Sequence, residues 1–374
     1  MMYRMRGTNN IDVKARNKEN IKRLLFKQKS MTKQEIVNAL KLSLPTVNQN
    51  VKELIDENLL DESGTLESSG GRKPQLINFK YDARKSIGLD ISQNHIHIVI
   101  LNLSSDIICE KRINCIFENT KEYWSYLNKL MEDLCLTNEI NMSQVLGISI
   151  TLPGTVIPDK KILKLAPTLQ IKNLDLNELE QYFNLPVIFE NEANAAGFSE
   201  VWNREIINDA IYLSITKGVG GAIIIDNTVF HGKSGCSGEF GHFIIQRDGN
   251  KCNCGSNGCF EAYCTVNVLT KDTNGDIDEF FKQVKLGNNA YIKKWDEYLD
   301  YLALGLHNIK MIFDLDIIIG GDISDYLQEY VDILKDKMKS LVENDKNIDF
   351  VRISRHGKNA SAVGGACMII SDFL

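Results

Sequence analysis

Between Gly241 and Cys264 the chain reads GHFIIQRDGNKCNCGSNGCFEAYC, one histidine and four cysteines among glycines and asparagines. Imidazole nitrogen and thiolate sulfur are the ligands of structural zinc, in which four protein groups fill a tetrahedral shell and leave no position for a reacting water. His242, Cys252, Cys254 and Cys259 are spaced H-x9-C-x-C-x4-C, a Cys₃His set of that type. Gly255 and Gly258 let the backbone curl so that thiols close in sequence converge. The chemistry to expect is therefore that of a structural zinc and not of a hydrolytic centre. Nine cysteines, an odd number with four bunched here, suit a metal site in a reducing compartment better than a disulfide framework.

The elements that must position this loop belong to a chain of 374 residues, long enough for two or three domains with cores of their own. With 43% hydrophobic and 25% charged residues the composition is that of a soluble globular protein. No apolar run nears the roughly 18 residues of a membrane span. The opening MMYRMRGTNNIDVKARNKEN lacks an apolar segment after its positive charges, so a cytoplasmic location and no membrane partner are expected. After a linker at 81–85, residues 86–374 repeat β-branched strands that end in polar or Gly-containing turns, several running on into helices. KSIGLDISQNHIHIVILNL, VLGISITLPG, LPVIFENEANAAGFSE, AIYLSITKGVGGAIIIDN and DIIIGGDIS are the clearest. Alternating strands and helices predict an α/β body with ligands at the strand ends, its two halves meeting near Asn191 around a cleft.

Residues 1–80 differ in charge and pattern. They carry 15 Lys and Arg against 9 Asp and Glu, a balance of +6, which leaves −12 on the rest of a chain whose net charge is −6. A basic head on an acidic body directs only the head toward nucleic acid. Thr32 and Glu35 form a capping-box start for a helix through Leu40; Lys41–Leu42 turns, and Ser43 caps a second helix with Pro45 in its first turn. That is a helix-turn-helix. Leu44, Val47, Val51 and Leu54 are expected to face the core. Ser43, Thr46, Asn48, Gln49 and Lys52 are then free for double-stranded DNA, Asn and Gln being able to pair bidentately with adenine edges. LLDESGTLESSGGRKPQLINFK reads as the hairpin of a wing, placing Arg72 and Lys73 within reach of phosphate.

SGGRKP, LPVIFENEANAAGFSE, SGEFGH, CNCGSNGCFEAY and GKNASAVGGACMI together resemble the ROK family of repressors and sugar kinases, in its regulator branch with an N-terminal winged helix. The paired GE-x-GH and C-x-C-G-x-x-G-C-x-E elements are the most specific. The resemblance implies a winged helix-turn-helix followed by two actin-like (ribonuclease H-like) α/β lobes, a homodimer, and a zinc loop at 242–259 with His242, Cys252, Cys254 and Cys259 as ligands and Cys236 and Cys264 spare. It also implies that Asn191, Glu192, Glu239, His242 and Glu261 meet a monosaccharide. Carboxylates accept from vicinal hydroxyls, and an imidazole with one nitrogen on zinc donates through the other.

The same resemblance exposes departures. ROK kinases carry an Asn–Asp pair where this chain has Asn191–Glu192, a pairing that resembles xylose-type repressors; the longer Glu displaces a general base by roughly 1 Å, a shift costly to catalysis. Kinase phosphate loops of the forms D-x-G-G-T and G-T-G-x-G-G-G let backbone N–H groups approach phosphate. Here they read Asp90-Ile91-Ser92-Gln93-Asn94, without glycine, and Thr216-Lys217-Gly218-Val219-Gly220-Gly221-Ala222, with Lys217 in the first turn. No ATP chemistry is expected, and the chain is not expected to be an enzyme. Thr168 replaces the family's sugar-contacting Asn, and no tryptophan follows it. Two functions remain: a repressor modulated by a sugar, which the intact Asn191, Glu192, Glu239, His242 and Glu261 favour, or a ligand-independent antirepressor that contacts a second regulator protein. A sugar kinase is the reading the loops weigh against.

Overall fold

The computed structural model describes residues 10–65, 75–202, 207–341 and 348–374. The head comprises α1 (Asn10–Gln28), β1 (Ser30–Thr32), α2 (Lys33–Leu40), α3 (Leu44–Asp56), β2 (Leu60–Thr65) and β3 (Gln75–Phe79), with the strands in the order β1-β3-β2. Its turns are written in local hydrogen bonds. The Thr32 hydroxyl accepts from the Glu35 N–H, and the Glu35 carboxylate accepts from the Thr32 N–H at 2.7 Å. Lys41 then turns the chain with φ 53°, and the Ser43 hydroxyl accepts from the Thr46 N–H to start α3. Val47, Val51 and Leu54 fill the head's core with Ile21, Leu25 and Ile36. Leu44, expected on the same buried face, is instead 45% exposed. As the first residue of α3 it overhangs the three-helix core, so the spacing that holds from Val47 onward does not bury it.

A short 3-10 turn at Tyr81–Ala83 leads into the first lobe. It contains β4 (Lys85–Ile91), β5 (His95–Asn102), β6 (Ile107–Asn114), α4 (Lys121–Thr137), β7 (Val145–Leu152), the small sheet of β8 (Thr155–Ile157), β9 (Ile162–Ala166) and β10 (Ile171–Asp175), then α5 (Asn177–Glu180), β11 (Val187–Asn191) and α6 (Glu192–Val201). The second lobe contains β12 (Ala210–Ile215), β13 (Val219–Ile225), β14 (Thr228–Val229), α7 (Glu261–Cys264), α8 (Val266–Thr270), α9 (Ile277–Lys285), α10 (Asn289–Phe313), β15 (Asp316–Gly320), α11 (Ser324–Leu327), α12 (Val331–Ser340) and β16 (Val351–Ile353). The chain closes with α13 (Ala360–Phe373). The two five-stranded sheets are ordered β6-β5-β4-β7-β11 and β14-β13-β12-β15-β16. In each, an antiparallel meander supplies three strands and two more join in parallel. This is the two-lobed actin-like layout that the sequence motifs implied.

Two helices tie the molecule together. α13 packs on β4, β7 and α6, and the approach is so close that a Cβ on Gly364 would lie 1.7 Å from the Ala195 carbonyl oxygen. α1 packs against the body, where Phe26 and Phe79 share one buried cluster with Val99, Leu101, Phe198 and Ile370. Burial of these side chains makes the head continuous with the first lobe, at about 25 cal/mol for each Å² of apolar surface removed from water.

Candidate functional site

The metal-type loop lies between β14 and α7. Its four ligand atoms, from His242, Cys252, Cys254 and Cys259, all fall within 4.8 Å of one another. Cys254 Sγ is 3.7 Å from Cys259 Sγ, and Cys252 Sγ is 3.9 Å from His242 Nδ1. A tetrahedron with zinc–sulfur bonds of about 2.3 Å has edges of about 3.8 Å, and these two separations match it, so the type and grouping of the donors suit that ion. Gly255 and Gly258 take φ of 96° and 80°, in the left-handed region, and a Cβ on Gly258 would meet the Gln246 carbonyl oxygen at 1.7 Å. Backbone hydrogen bonds from Gly258 to Asn250 and from Cys252 to Ser256 close the curl. A hydrogen bond from the Ser256 backbone lowers the Cys254 thiol, the most exposed of the three, whereas burial raises Cys252 and Cys259. Cys236 and Cys264 stand outside the cluster.

With Nδ1 turned to the sulfurs, His242 presents Nε2 to Glu239, whose Oε2 is 3.9 Å away. Burial lifts the Glu239 carboxyl, His242 opposes the rise and Glu261 adds to it. Glu261 fastens the loop to the sheet: its Oε2 accepts from the Val219 N–H at 3.0 Å, and its Oε1 lies 3.6 Å from Cys252 Sγ. Glu239, His242 and Glu261 thus lie around one loop.

The first lobe contributes from the start of α6. The Asn191 side chain is already engaged, since its Oδ1 accepts from the Ala193 and Asn194 N–H groups and its Nδ2 donates to Gly154 O at 2.8 Å. Glu192 differs. Its Oε2 is buried without a hydrogen-bond partner among the described residues, and burial, followed by the charge of Asp90, pushes the carboxyl up to about 8. At neutral pH it is mostly a neutral acid able to donate a hydrogen bond.

Three further groups escaped sequence reasoning. Asp90 accepts from Thr151 Oγ1 and from Ser361 Oγ, both at 2.7 Å, which ties the end of β4 to the first turn of α13. Glu190, buried at the end of β11, accepts from Asn194 and is 2.7 Å from His231 Nε2 in the second lobe. That hydrogen bond raises the His231 pKa against the opposing effect of burial. Glu190 precedes the quoted Asn191–Glu192 by one residue, but nothing local announces a partner 41 residues away.

The segments at the positions of the kinase phosphate loops are strand-connecting turns. Asp90–Asn94 forms the tight turn between β4 and β5, and Thr216–Gly218 the turn between β12 and β13. A Cβ on Gly221 would lie 2.4 Å from the Phe240 ring, so that glycine accommodates packing. Lys217 borders a cavity of about 490 Å³ lined also by Lys358, Asp322, Asp325, Asn267 and Asn274.

In the head, Asn48, Gln49 and Lys52 are exposed on α3. The Ser43 and Thr46 hydroxyls are 2.8 Å apart and bonded to each other at the cap of α3. Arg72 and Lys73, expected on the wing, lie outside the described residues.

The geometry defines a two-lobed regulator-type fold with a Cys₃His loop at its cleft, and comparison places it. The model of the ROK family matches residues 86–372, and the chain belongs to that family. It is 29% identical to a xylose repressor from Caldicellulosiruptor bescii and 27% identical to the xylose repressor of Bacillus subtilis, with 97% of each chain covered in both cases. It is 26% identical to the transcriptional dual regulator NagC of Escherichia coli over 67% of this chain and 63% of that one. Among solved structures, a ROK family transcriptional regulator described as a homologue of Escherichia coli Mlc aligns with a TM-score of 0.81 at 21% identity, covering 96% of both chains. A ROK glucokinase from Streptomyces griseus aligns at 0.63 and 24% identity, covering 76% of this chain and 98% of that one.

Proposed function

We propose that this protein is a DNA-binding transcriptional repressor whose hold on its operator is modulated by a monosaccharide in the cleft, bound and not turned over. The observation that carries this reading is that two helices starting at the cleft end beneath the head. α6 begins at Asn191–Glu192 and leads to Trp202, whose ring stacks on Phe198 at 5.6 Å and approaches Phe26 of α1 at 6.3 Å. α13 begins next to Ser361, held by Asp90, and ends where Lys22 of α1 donates to Phe373 O and Arg23 Nε donates to Leu374 O at 2.6 Å. α1 in turn holds the recognition helix α3 through the buried cluster of Ile21, Leu25, Val47, Val51 and Leu54, with the ion pairs Lys14–Glu53 and Lys18–Glu57 at its surface. A ligand that draws Glu192 and Asp90 toward Glu239, His242 and Glu261 therefore moves the supports of α1. Such a ligand shifts DNA affinity only by its differential affinity for the two lobe positions.

The residues support sensing over catalysis. A carboxyl pushed up to about 8 is a poor acceptor for the proton of an attacking hydroxyl at neutral pH. The turns at Asp90–Asn94 and Thr216–Gly218 offer little glycine backbone to phosphate, and Lys217 stands among charges of both signs. The Cys₃His loop would hold a structural Zn²⁺ that fixes Glu239, His242 and Glu261. A homodimer in the cytoplasm would present two copies of α3, with Asn48, Gln49 and Lys52 in the groove, to half-sites a whole number of helical turns apart. Arg72 and Lys73 complete the proposed DNA contacts.

Selection of bound fragments from genomic DNA by the full-length protein tests the reading. A palindromic consensus is the expected result. Random fragments would instead favour an antirepressor acting on a second regulator, and ATP-dependent phosphorylation of hexoses or pentoses at ordinary kinase rates would overturn the non-catalytic part.

A further inference from the structure

We infer that Leu44 is a specificity-determining residue that reads the 5-methyl group of a thymine in the major groove. The inference rests on the operator-binding role proposed above and adds to it one residue and one base. Leu44 is the first residue of α3, and its side chain is 45% exposed although helical spacing would bury it with Val47 and Val51. A single exposed leucine is ordinary on a protein surface; the position of this one is not. Leu44, Asn48 and Lys52 are spaced i, i+4, i+8 and are all exposed, so they form one outward stripe on the helix that a helix-turn-helix places in the groove, N-terminal end first.

The stripe is graded in chemistry. Lys52 offers charge to phosphate, Asn48 offers the amide that pairs with adenine N6 and N7, and Leu44 offers only apolar surface, for which the thymine methyl is the matching feature of a base edge. The end of the helix that carries Leu44 is built rigidly. The Ser43 hydroxyl accepts from the Thr46 N–H and bonds the Thr46 hydroxyl, and Pro45 fixes φ in the first turn. Those bonds hold Ser43 and Thr46 at the cap and leave Leu44 as the foremost apolar side chain of the stripe. Leu44 and Asn48 are about 6 Å apart along the helix, so each half-site should hold a thymine close to the adenine that Asn48 reads.

The experiment uses the full-length protein and a consensus duplex selected from a random-sequence library. Each thymine is replaced in turn by deoxyuridine, which removes the 5-methyl group and nothing else, and affinity is read by fluorescence anisotropy. For the wild type, one thymine per half-site should lose about fourfold in affinity, the worth of one buried methyl group. Leu44→Ala should lose a similar factor on the methylated duplex and become indifferent to that replacement, whereas Leu44→Met, which keeps apolar reach, should retain the response. Because the side chain is exposed, both variants should keep the wild-type melting temperature. Tolerance of deoxyuridine at every thymine by the wild type, or an undiminished response in Leu44→Ala, overturns the assignment to Leu44 alone. A library that yields no consensus overturns the operator-binding role itself.

Discussion

The strand order of the first lobe, β6-β5-β4-β7-β11, returns in the second as β14-β13-β12-β15-β16, yet the two lobes hold their cleft residues by different means. In the first, Asp90, Glu190, Asn191 and Glu192 occupy strand ends and the start of a buried helix, fixed by hydrogen bonds and by the burial of α6 against α13. In the second, Glu239, His242 and Glu261 ride on a loop that closes through three thiols and an imidazole. Residues fixed by packing move when their helix moves, and so can report on the cleft to the head. Residues fixed by a metal-type loop keep their mutual geometry while the lobe moves as a body. In the proposed repressor, one lobe would transmit and the other would present.

The largest effect should come from the second lobe. Cys259→Ser, which removes a buried thiol of the proposed zinc site, is expected to abolish the binding of about one zinc per chain and to cost roughly 4 kcal/mol or more of stability. Elemental analysis and thermal unfolding measure both. If unfolding of that variant were indistinguishable from wild type, the loop would not be the clamp described.

In the first lobe, Glu192 supplies the next effect. Burial pushes its carboxyl up to about 8 from the ordinary glutamate value near 4.5, so the native protein retains a proton that the unfolded chain has released between those limits. Stability should therefore fall as pH rises from about 4.5 to about 8 and level off above, by up to roughly 1.4 kcal/mol per pH unit. Glu192→Gln should flatten that decline in denaturant melts across the window. An identical pH profile in the variant would mean that the carboxyl is already ionised in the native state.

The link between lobe and head predicts a smaller but more specific change. Lys22→Ala with Arg23→Ala should leave DNA affinity in the absence of sugar near wild type and reduce the sugar-dependent change in that affinity by about fivefold, within the usual range of coupling energies. The smallest effect belongs to His231. Because Glu190 raises its pKa, the tie between the lobes is fully present below the unfolded value near 6.5 and is lost as pH climbs through the folded one. His231→Gln should remove that component from melting temperatures recorded between pH 5.5 and 8, with little change at the upper end.

Where the chain was legible, the determining contacts were local. The cap and turn of the head are set by residues three apart, and the metal-type loop by four side chains within 18 residues, so spacing alone brought them together. The paired lobes were legible through their β-branched strands and through the family motifs. What escaped was long-range or terminal. The bonds from Ser361 to Asp90 and from Lys22 to Phe373 join residues 271 and 351 positions apart, and no periodicity encodes them. Asn191 was readable as a site residue but not as a helix cap that occupies most of its hydrogen-bonding capacity. Leu44 was misplaced because the apolar repeat of α3 extends one residue beyond the core it predicts.

The central claim is that occupancy of the cleft changes the grip of the head on DNA. Anisotropy of the selected operator duplex bound to wild-type protein, titrated with a panel of pentoses, hexoses and N-acetylated sugars, tests it directly. At least one monosaccharide should weaken DNA binding by fivefold or more, on the order of 1 kcal/mol, and Glu239→Ala should lose the response while still binding the duplex. DNA affinity unchanged by every sugar at millimolar concentration would contradict it.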